Sequence, residues 1–260
     1  MSQYETIQVV RSGAVDWLTL NRPERLNAIN GTMVDELWNY FSRLHNDFTC
    51  RIVVMRGAGR AFCSGLDLTW FQESGGQAPG AGDSEEGPGP SLASLIVKMR
   101  SCPQPIICLV HGAACGGGLN FVLASDIRIA GQSAKMNVTF VKLGLSGCEL
   151  GTSYFLPRLV GHSLASELMM TGRFLHAERA LASGLASEVV PDDQLDSAAR
   201  ALVGEMLSVS PVGLRKTKET LAKASEISDL AAVIALEERA QMACLEGRSL
   251  TDNIRNSRDK

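Results

Sequence analysis

Apolar runs that end in a glycine-rich turn and pass at once into helical spacing recur along this chain, and no other feature restricts its fold as tightly. "CRIVVMRG" (50–57), "PIICLVHG" (105–112) and "DIRIA" (126–130) are continuous in hydrophobicity rather than alternating. That is the pattern of strands covered on both faces. "GGGLNFVLAS" (116–125) lies between the second and third runs with helical character. Strand–helix–strand units with short connections imply a parallel-rich α/β or repeated ββα architecture. Ahead of them, "TIQVV" and "AVDWLTLN" flank "RSG" and predict a hairpin turned at Ser12–Gly13. "NGTMVDELWNYFSRLHND" then spaces Met33, Leu37, Trp38, Phe41 and Leu44 as a helix, with Thr32 placed as its N-cap near Asp35.

From about Pro191 the pattern becomes wholly helical. "DDQLDSAARALVGEML", "PVGLRKTKETLAKA" and "DLAAVIALEERAQMACLEG" have helical periods, and Pro191 and Pro211 stand near helix starts. The division expected is an α/β core over 1–195 and a helical region over 196–260 that packs on the core or on a neighbouring subunit. Between strand and helix patterns, "QESGGQAPGAGDSEEGPGP" (72–90) is too poor in apolar residues to fold alone. It reads as a mobile loop, either a plain linker or a flap beside a pocket.

A formal charge of −3 offers no basic excess for nucleic acid or an anionic membrane. No apolar run reaches membrane-spanning length, and "MSQYETIQVV" fits neither a secretory signal nor a transit peptide. The seven cysteines lack CxxC pairing, which argues against a zinc site and for buried thiols in a reducing, cytoplasmic setting. No metal is expected.

The three glycines at 116–118 interrupt what otherwise reads as core. No phosphate-binding P-loop is present, "GGGLNF" is not a dinucleotide fingerprint, and "GLSGC" (144–148) misses a nucleophile elbow at its last position. A glycine at a helix N-terminus does allow a ligand oxygen to reach unpaired backbone N–H groups. Such donors, aimed at a developing oxyanion, are worth ~2.7–4 kcal/mol each in the transition state. Taken alone, the glycines are better explained by close helix–strand packing. "GAGRAFCSGLDL" (57–68) ends another strand with a similar turn, so two donating turns become available.

Taken in order, "LTLNRPERLNAIN" (18–30), "RGAGRAFCSGLDL" (56–68), "PIICLVHGAACGGGLNFVLASDIRIA" (105–130), "LGLSGCELGTSYFLPRLVG" (143–161) and "LMMTGRFLHAERALASGLASEVVP" (168–191) resemble the crotonase, or enoyl-CoA hydratase/isomerase, superfamily. The resemblance spans nearly the whole chain. It implies a spiral of ββα units, a C-terminal helical region used in trimerisation, a trimer or hexamer, and an acyl-CoA thioester substrate with no separate cofactor. It also implies oxyanion donation by the backbone N–H groups of Leu66 and Gly117. Arg25, Leu26 and Ala28 match the segment lining the CoA nucleotide, Ser64, Asp67 and Leu68 flank the thioester, and Lys218 matches a basic residue near the CoA phosphates.

Hydratases of this superfamily use two glutamates, and here the matching positions are Asn120 and Phe140, neither of which exchanges a proton. Glu149, in "SGCELGTSY", matches the region where isomerases of the family place a carboxylate that shuttles a proton along the acyl chain. In an apolar wall a half-buried glutamate would have a raised pKa, suited to a general base; as a helix-capping acid it would have no such role. Asn120 is then left to position substrate or water. Asp67 reads as a turn residue, His111 and Asp126 as structural groups, and Cys148 as an inert thiol in apolar surroundings. The favoured reading is enoyl-CoA double-bond isomerisation. Hydration by an atypical acid, thioester or C–C hydrolysis, and a non-catalytic acyl-CoA-binding protein are the alternatives.

Overall fold

A computed structural model describes residues 4–76 and 90–245, together with the backbone of 83–84 and 87–88. The chain divides into two compact units, Met1–Leu202 and Val203–Lys260. In the first, the hairpin β1 (Ile7–Ser12) and β2 (Val15–Leu20) precedes helix α1 (Gly31–Leu44) and strand β3 (Ile52–Gly57). Helix α2 (Leu68–Glu73), the short pair β4 (Asp83–Ser84) and β5 (Gly87–Pro88), and helix α3 (Leu92–Ser101) follow. Next come β6 (Ile106–Val110), β7 (Ala113–Cys115), α4 (Gly117–Ala124), β8 (Ile127–Gly131) and β9 (Lys135–Asn137). The unit continues through α5 (Thr152–Val160), α6 (His162–Thr171), β10 (Leu175–His176), α7 (Ala177–Ala182) and β11 (Glu188–Val190). The division between units falls inside α8 (Leu195–Ser208), and the second unit holds α9 (Pro211–Ala224) and α10 (Leu230–Leu245).

The main sheet runs β1-β2-β3-β6-β8-β11, antiparallel only at the β1–β2 hairpin. Its central strands are buried on both faces, as their unbroken apolar runs require. Beside it a second, shorter ladder joins β10, β9 and β7, and a bridge between Cys63 and Ala114 extends it. Strands β3, β6 and β8 therefore each lead within a few residues into the second ladder. That repetition winds the chain into the ββα spiral, and it delivers the turn after each strand to the same side.

The helix over 31–44 begins two residues earlier than the sequence pattern suggests. Asn30, extended at φ −113° and ψ 178°, accepts from the Met33 N–H and is the N-cap, while Thr32 already lies inside the helix. Four cysteines are buried as small apolar groups, and burial pushes the Cys63 and Cys108 thiols up to about 12. Cys148, expected in apolar surroundings, is instead exposed. Of 72–90, read as a mobile loop, residues 77–82, 85–86 and 89 lie outside the described residues. Among the described residues no helix is long and apolar enough to cross a membrane, and no group of three or more His, Cys, Asp or Glu could hold a metal ion.

Candidate active site

Two turns meet where the second ladder ends. Cys63 N–H donates to Ala113 O at 3.0 Å and Cys115 N–H to Cys63 O at 3.0 Å, which locks the segment after β3 to β7. On its other side the same segment is bridged to Ile29: Ile29 N–H reaches Gly65 O at 2.7 Å, and Asp67 N–H reaches Ile29 O at 2.9 Å. Successive amides of an extended chain point in opposite directions, so the Leu66 N–H faces away from Ile29 and toward the 115–117 turn. Gly65, at φ +97°, leaves room for the approach. A Cβ there would lie 2.7 Å from Cys115 O and 3.7 Å from Gly117 N.

Gly117 is the first residue of α4, so its N–H has no acceptor one turn back. Among the described residues neither the Leu66 nor the Gly117 amide donates to a protein carbonyl. Two free donors on neighbouring turns, one of them at the positive end of a helix dipole, are an arrangement able to hold a developing oxyanion. The three glycines have separate reasons to be there. Gly116 adopts φ 50° and ψ −122°, a conformation that side chains disfavour. A Cβ on Gly117 would enter the apolar space between Ile29, Leu92 and Leu150, and one on Gly118 would strike Cys63.

Asn120 sits one turn further along α4 at 0% exposure. Its Nδ2 donates to Leu150 O at 3.0 Å, to Glu149 O at 3.3 Å and to Thr152 Oγ1 at 2.9 Å. Two of these partners are carbonyls, which only an N–H can meet, so the amide orientation is set by them. Its Oδ1 is buried without a hydrogen-bond partner among the described residues. An orphaned buried acceptor costs about 1–3 kcal/mol. Phe140 is half-buried, its ring 3.7 Å from where a Cβ on Gly116 would lie, and it forms wall rather than acid.

Glu149 is exposed, not half-buried, in this single chain. The backbone turns through Leu150 at φ 51° and Gly151 at φ 81°, so neighbouring side chains diverge. Leu150 Cδ1 comes within 3.9 Å of the Cβ position on Gly117, while its neighbour Glu149 is turned outward. The cap of α5 is Gly151, and the Glu149 carboxylate caps nothing. No described residue hydrogen-bonds that carboxylate.

The remaining candidates divide. Asp67 is buried, caps α2 through the Trp70 N–H at 3.2 Å and pairs with Arg22 at 2.9 Å. Burial alone would raise its carboxyl, but the Trp70 N–H and the Arg22 guanidinium outweigh it and hold the pKa below the usual 3.8. A depressed carboxyl contributes stability fully above its unfolded pKa and loses it as pH falls through the lower folded value. Asp67→Asn is therefore expected to flatten part of the acid-side fall in Tm, measured from about pH 5 to about pH 2 in both proteins. Ser64 N–H donates to Leu26 O at 3.0 Å, and Arg22 Nη1 reaches Ala28 O, so Leu26, Ala28, Ser64 and Asp67 belong to one knitted loop pair. Arg25 and Leu68 are exposed on it. Lys218 lies in α9 of the second unit and is buried there.

That loop pair depends on a residue the motif reading passed over. Asn27 is fully buried at φ 56°, a left-handed conformation that asparagine tolerates better than most side chains. Its Nδ2 donates to Ala58 O and Ala61 O at 2.8 Å and to Phe62 O at 3.1 Å, and its Oδ1 accepts from Arg22 N–H at 2.9 Å. Asn27→Leu is expected to cost about 2–3 kcal/mol in chemical denaturation, because buried carbonyls lose their donor. His111 Nε2–H donates to Gly59 O at 2.9 Å, and Asp126 holds Ile106 N–H and Arg100, so both are structural.

A separate cavity of about 1070 Å³ opens at the carboxyl ends of β3, β6 and β8, with Arg56, Arg60, His111, Lys135 and Asp192 in its wall. Of the candidate residues only Leu26 lines it, so the oxyanion turns do not face into it.

The sequence model of a family described as enoyl-CoA hydratase/isomerase matches residues 11–254. The chain is 38% identical over 231 residues to the probable enoyl-CoA hydratase EchA12 of Mycobacterium tuberculosis, covering 86% of this chain and 79% of that one. It is 39% identical over 235 residues to the mitochondrial Delta(3,5)-Delta(2,4)-dienoyl-CoA isomerase of Rattus norvegicus, covering 84% and 69%. Its fold is similar to that of a monofunctional enoyl CoA isomerase from M. smegmatis, with a TM-score of 0.74, 35% identity, and coverage of 88% of this chain and 98% of that one.

Proposed function

The chain belongs to the enoyl-CoA hydratase/isomerase family, and from that premise we propose that it moves a double bond along an enoyl-CoA thioester. Glu149 removes a proton from the carbon next to the thioester carbonyl of a 3-enoyl-CoA. The electron pair passes into a dienolate whose oxygen is held by the Leu66 and Gly117 N–H groups. Glu149 then returns the proton two carbons further on, and the conjugated 2-enoyl-CoA leaves with no net change of atoms. The observation that carries this reading is the pairing of Glu149 with Leu150, which packs at the oxyanion glycine, while Asn120 is engaged as a donor and Phe140 has no proton to give.

Arg25, Leu26 and Ala28 would line the CoA nucleotide, Ser64, Asp67 and Leu68 would flank the thioester, and Lys218 would serve the CoA phosphates. Coenzyme A arrives as part of the substrate, and no further cofactor is required. The helical region assembles the chain into a trimer or hexamer. Among its described residues α10 buries none of its own, and Leu230, Ile234 and Met242 stay exposed on it. Seven free cysteines accord with a reducing, cytoplasmic location. A second reading, hydration of a 2-enoyl-CoA, is favoured by the similarity to the probable enoyl-CoA hydratase EchA12.

The two are separated by absorbance of the conjugated thioester, followed with a 3-enoyl-CoA and a 2-enoyl-CoA of medium chain length. A rise from the first supports isomerisation. Loss of absorbance from the second, with no rise from the first, assigns hydration and removes the proposal.

A further inference from the structure

Three hydrogen bonds end on the two residues that carry the proposed base, and a fourth joins the side chains that make them. Asn120 Nδ2 donates to Glu149 O, Leu150 O and Thr152 Oγ1, and Thr152 Oγ1 in turn donates to Glu149 O at 2.7 Å. Thr152 is 1% exposed and Asn120 is 0% exposed, so this is an interior arrangement shielded from solvent competition. Asn120 N–H also donates to Gly116 O at 3.1 Å, closing the first turn of the helix that presents the Gly117 amide. One rigid helix therefore bears an oxyanion donor at its first residue and grips the acid-bearing turn one turn later.

We propose that Asn120 and Thr152 are positioning residues that fix the backbone from which the Glu149 carboxylate reaches, relative to the helix bearing the Gly117 amide. The inference rests on the reading of Glu149 as the proton carrier. Shuttling a proton between two carbons of one chain demands a carboxylate held at a set height above it, and the exposed Glu149 side chain has no hydrogen bond of its own to hold it among the described residues. Its backbone is held instead. A carboxylate at position 120 would face two carbonyl oxygens and repel them. The amide is thus required by its surroundings, and the position has become a donor rather than simply losing an acid. The unpartnered Asn120 Oδ1 agrees with that assignment, since the side chain is oriented for its donors at the expense of its acceptor.

The test compares Thr152→Val, which keeps the shape and loses both hydroxyl bonds, with Thr152→Ser, which keeps them. Displacing a catalytic group by about 1 Å costs about 10²-fold. Thr152→Val is expected to lower kcat on a 3-enoyl-CoA by about ten- to a hundredfold with KM within about twofold, and to displace the pH dependence of kcat. Thr152→Ser is expected to restore both. In a Glu149→Gln background Thr152→Val should lower kcat no further, because a positioning residue has nothing left to position.

Equal losses in both backgrounds, or a serine variant as poor as the valine one, would overturn the inference. Asn120→Asp, read by the same measurements, serves if Thr152→Val does not fold. An inactive Glu149→Gln beside a fully active Thr152→Val defeats the clamp alone. A fully active Glu149→Gln defeats the assignment of the base, and the clamp with it.

Discussion

Glu149→Gln is expected to lower isomerisation of a 3-enoyl-CoA by about 10²–10⁴-fold, the usual worth of a positioned general acid–base, while leaving the fold unchanged. The substitution is unusually clean. The side chain is exposed, caps no helix, and hydrogen-bonds no described residue, so an amide of the same shape disturbs nothing that holds the chain together. Surface changes of that kind stay within about 0.5 kcal/mol, and Tm should move by no more than that allows. What glutamine cannot do is accept a proton at one carbon and release it at another. In the proposed mechanism the thioester is bound by backbone donors and by the knitted 22–67 loop pair, so KM should change little. Loss of kcat with KM and Tm intact assigns the proton to Glu149. Full activity would transfer the chemistry to another group.

The sequence showed the strands most clearly, because unbroken runs such as "IVVM" and "IICLV" have only one use in a domain of this size. The turn after each run was equally legible, since glycines in a core stretch call for backbone contact. Polar residues that act at long range were much harder to see. Asn27 spends its amide on carbonyls 31 to 35 residues away, and nothing near it in sequence announces them. Only the tendency of asparagine toward left-handed turns could have drawn attention to it. Asn120 was read as a group that positions substrate or water, and its amide serves the Glu149 turn, a pairing across 29 and 30 positions that spacing does not encode. The exposure of Glu149 was likewise hidden. It follows from two consecutive left-handed residues, and "EL" ahead of a glycine gives little warning that leucine adopts that conformation. Thr32 lost the capping role to Asn30 for a simpler reason: both residues suit a cap, and the extended backbone falls at the earlier one.

Gly118→Ala should damage both stability and turnover, and its neighbour provides the control. A Cβ on Gly118 would lie 2.4 Å from Cys63 O, 2.8 Å from Cys63 Cβ and 2.9 Å from Cys63 Sγ. The carbonyl cannot step aside, because it accepts the Cys115 N–H at 3.0 Å and that bond ties the two oxyanion turns together. Either helix α4 lifts or the ladder opens. Overpacking against backbone, partly offset by about 1 kcal/mol of better helix propensity, is expected to cost about 3 kcal/mol or more in chemical denaturation. The Leu66 and Gly117 donors would also separate, and kcat should fall about 10²-fold or more. A Cβ on Gly117 meets only side-chain ends, Ile29 Cδ1 at 2.9 Å and Leu92 Cδ2 at 3.2 Å, which can rotate away. Gly117→Ala should therefore stay within about 1 kcal/mol of the parent chain yet lose activity, because its methyl occupies the apolar space beside the oxyanion donor. Stability separates the two substitutions, and activity does not. Equal stability in the pair would mean that Cys63 yields where its hydrogen bonds say it cannot.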